Sequence, residues 1–270
     1  MIGLFDSGIG GLTVLKALAN ELPQESFIYL GDTARLPYGS KSPVTIEKYL
    51  WQNIRFLKSL NVQAVVVACN TASTVLLEPP LGGGRDVSVP LNLPIYNVIE
   101  PGSAKAVASS STGRIGVLGT RATVAAQAYV RAIQKIQPSA EVFQQASPLL
   151  VPLVEEGWEN DPLTNLIVYR YVQELLKKNI DTLILGCTHY PVLSQSIRRA
   201  VGPNVALVDS AQAIAEQLKK DLKEGKFRSS ASGSPRVIRL LATDTSTNFA
   251  EVASRLLDPL DVQQLESVDI

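Results

Sequence analysis

The sequence predicts an α/β protein of two similar domains with mainly parallel sheets, related by pseudo-twofold symmetry, with a site in the cleft between them. Three observations carry this. Short β-branched apolar runs alternate with segments of helical periodicity, the pattern of units that feed parallel sheets. The pattern then starts again: Ile2-Gly3-Leu4-Phe5-Asp6-Ser7 corresponds to Ile115-Gly116-Val117-Leu118-Gly119-Thr120 at an offset of 113 positions. The strand leading into Ala68-Cys69-Asn70-Thr71 likewise corresponds to the one leading into Gly186-Cys187-Thr188, cysteine on cysteine at an offset of 118. Each cysteine thus follows the carboxyl end of a strand, where open α/β sheets bind ligands.

The first repeat opens with a strand at Ile2–Phe5, a tight turn at Gly8-Ile9-Gly10-Gly11 and a helix over Leu12–Glu21. Ser26–Leu30 is the second strand, Gly31–Ser42 a loop rich in Gly, Pro and Ser, and about Val44–Leu60 a helix. Ala64–Ala68 is a third strand, and the short helix after it is stopped by Pro79-Pro80. Leu81–Pro94, with three consecutive glycines and two prolines, is a surface loop. Ile95–Ile99 reads as a strand, and Glu100-Pro101-Gly102 as punctuation.

The second repeat has strands at Arg114–Leu118 and Glu141–Gln144, with one helix, Val124–Ile136, between them. Leu163–Lys178 is a helix with apolar Leu163, Leu166, Ile167, Tyr171, Leu175 and Leu176 on one face. Thr182–Gly186 is a strand, Val205–Val208 another, and Ser210–Lys223 a helix. Phe227–Pro235 is a loop, Arg236–Ala242 a late strand and Ser246–Leu257 a helix. The restart of the strands puts residues 1–98 plus about 209–270 in one discontinuous domain and 99–208 in the other.

Composition narrows the function. With 46% hydrophobic residues in 270, the chain buries a sizeable core. Lys plus Arg and Asp plus Glu balance at 25 each, so nothing electrostatic points to nucleic acid or an anionic membrane. The apolar runs are too short to span a bilayer, and no basic, apolar leader opens the chain, so a cytoplasmic location is expected. Two cysteines and one histidine make neither a disulfide framework nor a His/Cys metal cluster. Gly8–Gly11 invites a dinucleotide reading, but Thr13 stands where the last glycine of that fingerprint belongs.

Taken singly, each candidate has a plain alternative. Two cysteines are most often buried small hydrophobes. Asp6 suits a turn, Tyr38 a stiffened loop, His189 a surface position, and Glu155 a solvated charge at a helix start. Together the cysteines suggest more. Inverting a carbon centre by proton transfer needs a base on one face and an acid on the other, and thiols have ionisation ranges suited to both roles. Asn70, Thr71 and Thr188, next to the cysteines, offer donors for the carboxylate of the carbanion that forms.

The motifs Asp6-Ser7-Gly8-Ile9-Gly10-Gly11, Leu36-Pro37-Tyr38-Gly39-Ser40, Ala68-Cys69-Asn70-Thr71-Ala72-Ser73 and Gly186-Cys187-Thr188-His189-Tyr190-Pro191 resemble the signature set of bacterial glutamate racemase. Ile99-Glu100-Pro101-Gly102 and Val151-Pro152-Leu153-Val154-Glu155-Glu156-Gly157 fit it too, all six in order over nearly the whole chain. The segment Leu81–Pro94 departs from it, being longer and richer in glycine than the family's link. The resemblance implies that Cys69 and Cys187 are the two catalytic acid/bases, Cys69 deprotonating D-glutamate and Cys187 L-glutamate. It implies that Asp6 assists Cys69, and that Glu155 (chosen over Glu156 on motif alignment) and His189 assist Cys187. Ser7, Pro37, Tyr38, Gly39, Ser40, Asn70, Thr71, Thr120 and Thr188, with Asp6 and His189, would bind the substrate. No cofactor and no metal are implied. The resemblance implies a role in the supply of D-glutamate for peptidoglycan in the cytoplasm; a homodimer is expected, and the charge balance and short apolar runs leave no nucleic-acid or membrane partner expected.

Three other readings compete. An aspartate racemase of the same superfamily differs in the second motif, where aspartate relatives tend to carry an acidic residue after Cys-Thr and this chain has His189. A cysteine hydrolase leaves one cysteine unused, and a histidine two positions along is expected to reach its own cysteine poorly. A non-catalytic amino-acid binding protein gives no reason for a thiol on each side of the cleft.

Overall fold

The computed structural model describes residues 1–79, 81–82, 92–229, 235–245, 247–260, 262 and 264–270. Most of the Leu81–Pro94 and Phe227–Pro235 loops lies outside the described residues. The first sheet contains β1 (Ile2–Asp6), β2 (Phe27–Gly31), β3 (Ala64–Val67), β4 (Ile95–Asn97) and, from the end of the chain, β9 (Ile238–Ala242) and β10 (Gln264–Ser267), in the order β10-β9-β2-β1-β3-β4. The second contains β5 (Arg114–Gly119), β6 (Glu141–Ala146), β7 (Thr182–Gly186) and β8 (Ala206–Asp209), in the order β6-β5-β7-β8. All pairings among the described residues are parallel.

The order β2-β1-β3-β4 matches β6-β5-β7-β8 strand for strand, with β1 equivalent to β5 and β3 to β7. In both sheets the chain steps to one side of the starting strand and then crosses to the other. That reversal opens a crevice at the strands' carboxyl ends. Asp6 and Cys69 stand at one such crevice, Thr120 and Cys187 at the other.

The helices cover the faces. They are α1 (Leu12–Glu21), α2 (Pro43–Ser59), α3 (Asn70–Leu76), α4 (Ile99–Ser109), α5 (Arg121–Ala126), α6 (Ala128–Ile136), α7 (Leu150–Glu155), α8 (Pro162–Leu176), α9 (Ser194–Val201), α10 (Ser210–Lys223) and α11 (Thr247–Leu257). Along β1, Ile2 and Leu4 join the core under α1, α10 and α11, while Phe5 joins the one under α2 and α3. β3 divides in the same way, Ala64 and Val66 against Val65 and Val67. A strand buried on both faces needs an unbroken apolar run, and that is what the sequence carries. Leu15 of α1 is fully buried in this core. Leu15→Ala is expected to cost about 2–5 kcal/mol, seen as a lower urea midpoint at unchanged slope.

Several local expectations are corrected. Glu100-Pro101-Gly102 does not punctuate the chain but lies in the first turn of α4. Asn97 Oδ1 accepts the Ile99 and Glu100 N–H groups at 3.0 and 2.9 Å, and proline is tolerated there because that turn needs no N–H from it. The single helix expected over Val124–Ile136 is two, α5 and α6, separated by Gln127 at φ 51°. At the break the Val124 carbonyl accepts both the Gln127 N–H and Gln144 Nε2, each at 3.2 Å. Glu155 closes α7 rather than opening a helix.

Candidate active site

The carboxyl ends of the four central strands converge on one cavity of about 330 Å³. Ser7, Cys69, Asn70 and Thr71 line it from the first sheet, and Thr120, Cys187, Thr188 and His189 from the second. Pro37, Tyr38, Gly39 and Ser40 form another wall, and Glu155 reaches it from α7. Of the residues singled out from the sequence, only Asp6 is not at the surface of the cavity. It is fully buried behind it.

Cys69 follows β3 and caps α3. Its Sγ accepts the Ala72 N–H at 3.5 Å and lies 3.6 Å from Ser7 Oγ. Burial, and then the negative field of Asp6, push this thiol up to about 12, against the pull of those two contacts. Asp6 Oδ2 accepts the Gly8 N–H at 3.0 Å, and Oδ1 accepts from Thr188 Oγ1 at 3.4 Å. Its hydrogen bonds therefore hold its own turn and reach the opposite sheet, while it acts on Cys69 through its field. Burial raises the Asp6 carboxyl above its usual range, with His189 as the main opposing influence.

Cys187 follows β7. The expectation that His189 would reach its own cysteine poorly is wrong. The chain turns at once, with the Tyr190 N–H on the Cys187 carbonyl at 3.1 Å, and this brings His189 Nδ1 to 3.8 Å from Cys187 Sγ. His189 Nε2 meets Glu155 Oε1 at 3.0 Å, whereas Glu156 is exposed. Burial works against charge on His189, but the Cys187 sulfur and the Glu155 carboxylate outweigh it and hold the imidazole up at about 10. A proton held this tightly stabilises the folded state fully below about 6.5, and the gain is lost as the pH rises through about 10. Glu155→Gln is therefore expected to destabilise the protein more at about pH 6 than above about pH 10, by urea titration. Equal losses at both would remove this ion pair from the stability balance.

Other contacts hold the two sides in register. Thr71 Oγ1 lies 3.0 Å from Thr120 Oγ1 and 3.3 Å from Thr123 Oγ1, bridging the sheets. Tyr129 Oη donates to Asn70 Oδ1 at 2.6 Å, and Asn70 Nδ2, buried, has no partner among the described residues. Asn70 thus combines a place in the cavity lining with an amide donor still to be satisfied. Tyr38 presents its ring there, since its hydroxyl donates to the buried Asp32, which also accepts Arg35 Nε at 2.8 Å.

The sequence reading passed over Arg121, Pro148, Val151 and Pro152, which also line the cavity. Arg121 follows Thr120 directly, and Val151-Pro152 belong to the motif from which only Glu155 was taken, so a signal was present for those three. Pro148 carried none.

A family model described as Asp/Glu/Hydantoin racemase matches residues 8–218. The chain belongs to this family. Its relatives include glutamate racemases of Geobacter metallireducens, 43% identical over 95% of this chain and 92% of that protein, and of Neisseria meningitidis, 43% identical over 100% and 96%. Among solved structures it is similar to glutamate racemase isoform RacE1 of Bacillus anthracis (TM-score 0.90, 33% identity, 100% of this chain and 97% of that one). It is also similar to the Francisella tularensis glutamate racemase in complex with D-glutamate (0.87, 35%, 99% and 97%). Aspartate racemase of Picrophilus torridus, at 17% identity and a TM-score of 0.58 over 85% of this chain and 95% of that one, shares the fold. The resemblance drawn from the six motifs is thus borne out, as is the α/β fold with two mainly parallel sheets. The chain is an isomerase of the glutamate racemase group. No helix among the described residues is long and apolar enough to cross a membrane.

Proposed function

We propose that this racemase-family protein interconverts L- and D-glutamate without a cofactor, by two-base proton transfer between Cys69, Cys187 and Cα. The observation that carries the reading is a pair of free thiols at the ends of topologically equivalent strands, both lining one small cavity. A thiolate on one face takes the Cα proton, and the electron pair left on Cα delocalises into the carboxylate. The thiol on the other face delivers its proton to Cα, and the two sulfurs end with their roles exchanged. The two sulfurs sit in unlike surroundings, Cys187 3.8 Å from the His189 imidazole and Cys69 in the negative field of Asp6, which raises its thiol.

Asn70 Nδ2 and the hydroxyls of Ser7, Thr71 and Thr188 are the donors for the substrate's carboxylate as charge grows on it. Glutamate rather than aspartate is supported by Cys187-Thr188-His189 and by the names of the relatives. The proposed domains are residues 1–98 with 209–270 and 99–208, a division that the separation of the strands into two sheets supports. The cell role that goes with this activity is cytoplasmic supply of D-glutamate for peptidoglycan, by a homodimer. The test is incubation of metal-stripped protein with L-glutamate in D2O without pyridoxal phosphate. Decay of the circular dichroism of the amino acid to zero, with deuterium replacing the Cα proton, is expected. Unchanged signals with glutamate would sink the reading, and decay only with aspartate would move it to the aspartate enzymes.

A further inference from the structure

Arg255 stands in the last turn of α11, a helix anchored to the first sheet. Phe249, Val252, Ala253 and Leu256 are buried in the cluster that holds Ile2 and Leu4 of β1. The guanidinium leaves that layer for the other one. Its Nη2 donates to the Val154 carbonyl at 2.7 Å, and its Nε lies 4.0 Å from Glu159 Oε1. Val154 is buried among second-sheet residues, in the same cluster as Cys187. Gly157, at φ +76°, is shaped around the contact, since a Cβ there would come within 2.4 Å of Arg255 Nη1.

The helix that receives this bond, α7, has six residues and no side-chain bond at its N-cap. A helix that short does not hold itself in place. Its last carbonyls accept the Glu156, Gly157 and Trp158 N–H groups from within the segment, and Arg255 adds to the Val154 carbonyl a bond from the first sheet's layer, next to the Glu155 side chain. A continuous set of contacts runs from α11 to the Val154 carbonyl, to Glu155, to His189 and to Cys187. Cys69 takes its contacts, Ser7 Oγ and the Ala72 N–H, from its own sheet.

We propose that Arg255 is a positioning residue for the Cys187 side of the reaction, setting from the first sheet the carboxylate that orients His189. The inference rests on Glu155, His189 and Cys187 acting as one acid/base arm. Arg255→Met keeps the aliphatic stem and drops the fork, Arg255→Lys restores charge without the full reach, and each is made alone and with Glu155→Gln. The readouts are kcat in both directions, the isotope effect with α-deuterated L- and D-glutamate, and the melting temperature.

Misplacing a catalytic group by a fraction of an ångström lowers turnover steeply, so Arg255→Met is expected to lower kcat about tenfold, with Arg255→Lys in between. The isotope effect should rise with L-glutamate, whose proton goes to Cys187, and not with D-glutamate. In the Glu155→Gln background, Arg255→Met should lower kcat no further, because both changes break one chain of contacts. A silent Arg255→Met, effects that multiply, or isotope effects rising equally for both enantiomers would overturn the role of Arg255. A silent Glu155→Gln would instead overturn the arm itself.

Discussion

Cys187→Ser and Cys69→Ser are each expected to lower racemisation by about 10²–10⁴-fold, the usual worth of a positioned acid/base group. Serine fits either site with little change of shape, and its hydroxyl meets the polar neighbours each sulfur already has, Ser7 and the Ala72 N–H or His189, so the melting temperature should fall far less than the activity. The loss is chemical, because a hydroxyl neither gives up nor carries its proton near neutral pH as a thiol does. L- and D-glutamate have equal free energy, so kcat/KM must fall by the same factor in both directions whichever cysteine is replaced. The variants differ in exchange. Each should still wash deuterium from solvent into the enantiomer whose proton its remaining cysteine handles, without inversion. Wild-type turnover in either variant would remove that cysteine from the reaction.

Gly10→Ala should do comparable damage from outside the pair of thiols. A Cβ at Gly10 would lie 2.4 Å from His189 Cε1 and Nδ1, and 2.4 Å from Thr188 Oγ1. His189 is 7% exposed and held at Glu155, so it has no free space to retreat into without leaving Cys187 or the carboxylate. Overpacking of this kind costs about 1–3 kcal/mol of stability. Displacing the ring should also cost about 10²-fold in kcat, since catalytic geometry tolerates little error. Steady-state kinetics and a urea titration of the same preparation separate the two effects. Unchanged kcat would mean that the ring can shift without consequence, and the His189 part of the mechanism would fall with it.

The cavity-lining residues were legible because many of them sit at strand ends, where the local pattern and the crevice coincide. The runs leading into Cys69 and Cys187 are apolar because both strands are buried on two faces, and the first residues beyond them face the crevice. The repeat could be read for the same reason, since equivalent strands carry equivalent patterns. Other elements gave weaker signals. β10 is a short edge strand, Gln264–Ser267, whose conformation comes from pairing with β9 and not from its own alternation. α7 and α9 are six and eight residues long, too short for their periodicity to stand out. α4 was concealed by a proline that its first turn accommodates.

The sequence alone determined the fold class, the doubled strand pattern, the two cysteines and most of the cavity wall, because each depends on residues close together in the chain. Only the tertiary structure decided which neighbours those residues meet. It put Glu155 rather than Glu156 on His189, turned His189 onto Cys187, and carried the hydrogen bond of Asp6 across to Thr188. It also brought Pro148 to the cavity and Arg255 to the Val154 carbonyl. The physical reason is that hydrogen bonds and charges act over a few ångströms of space, and chain folding brings together residues more than a hundred positions apart, which no local pattern records.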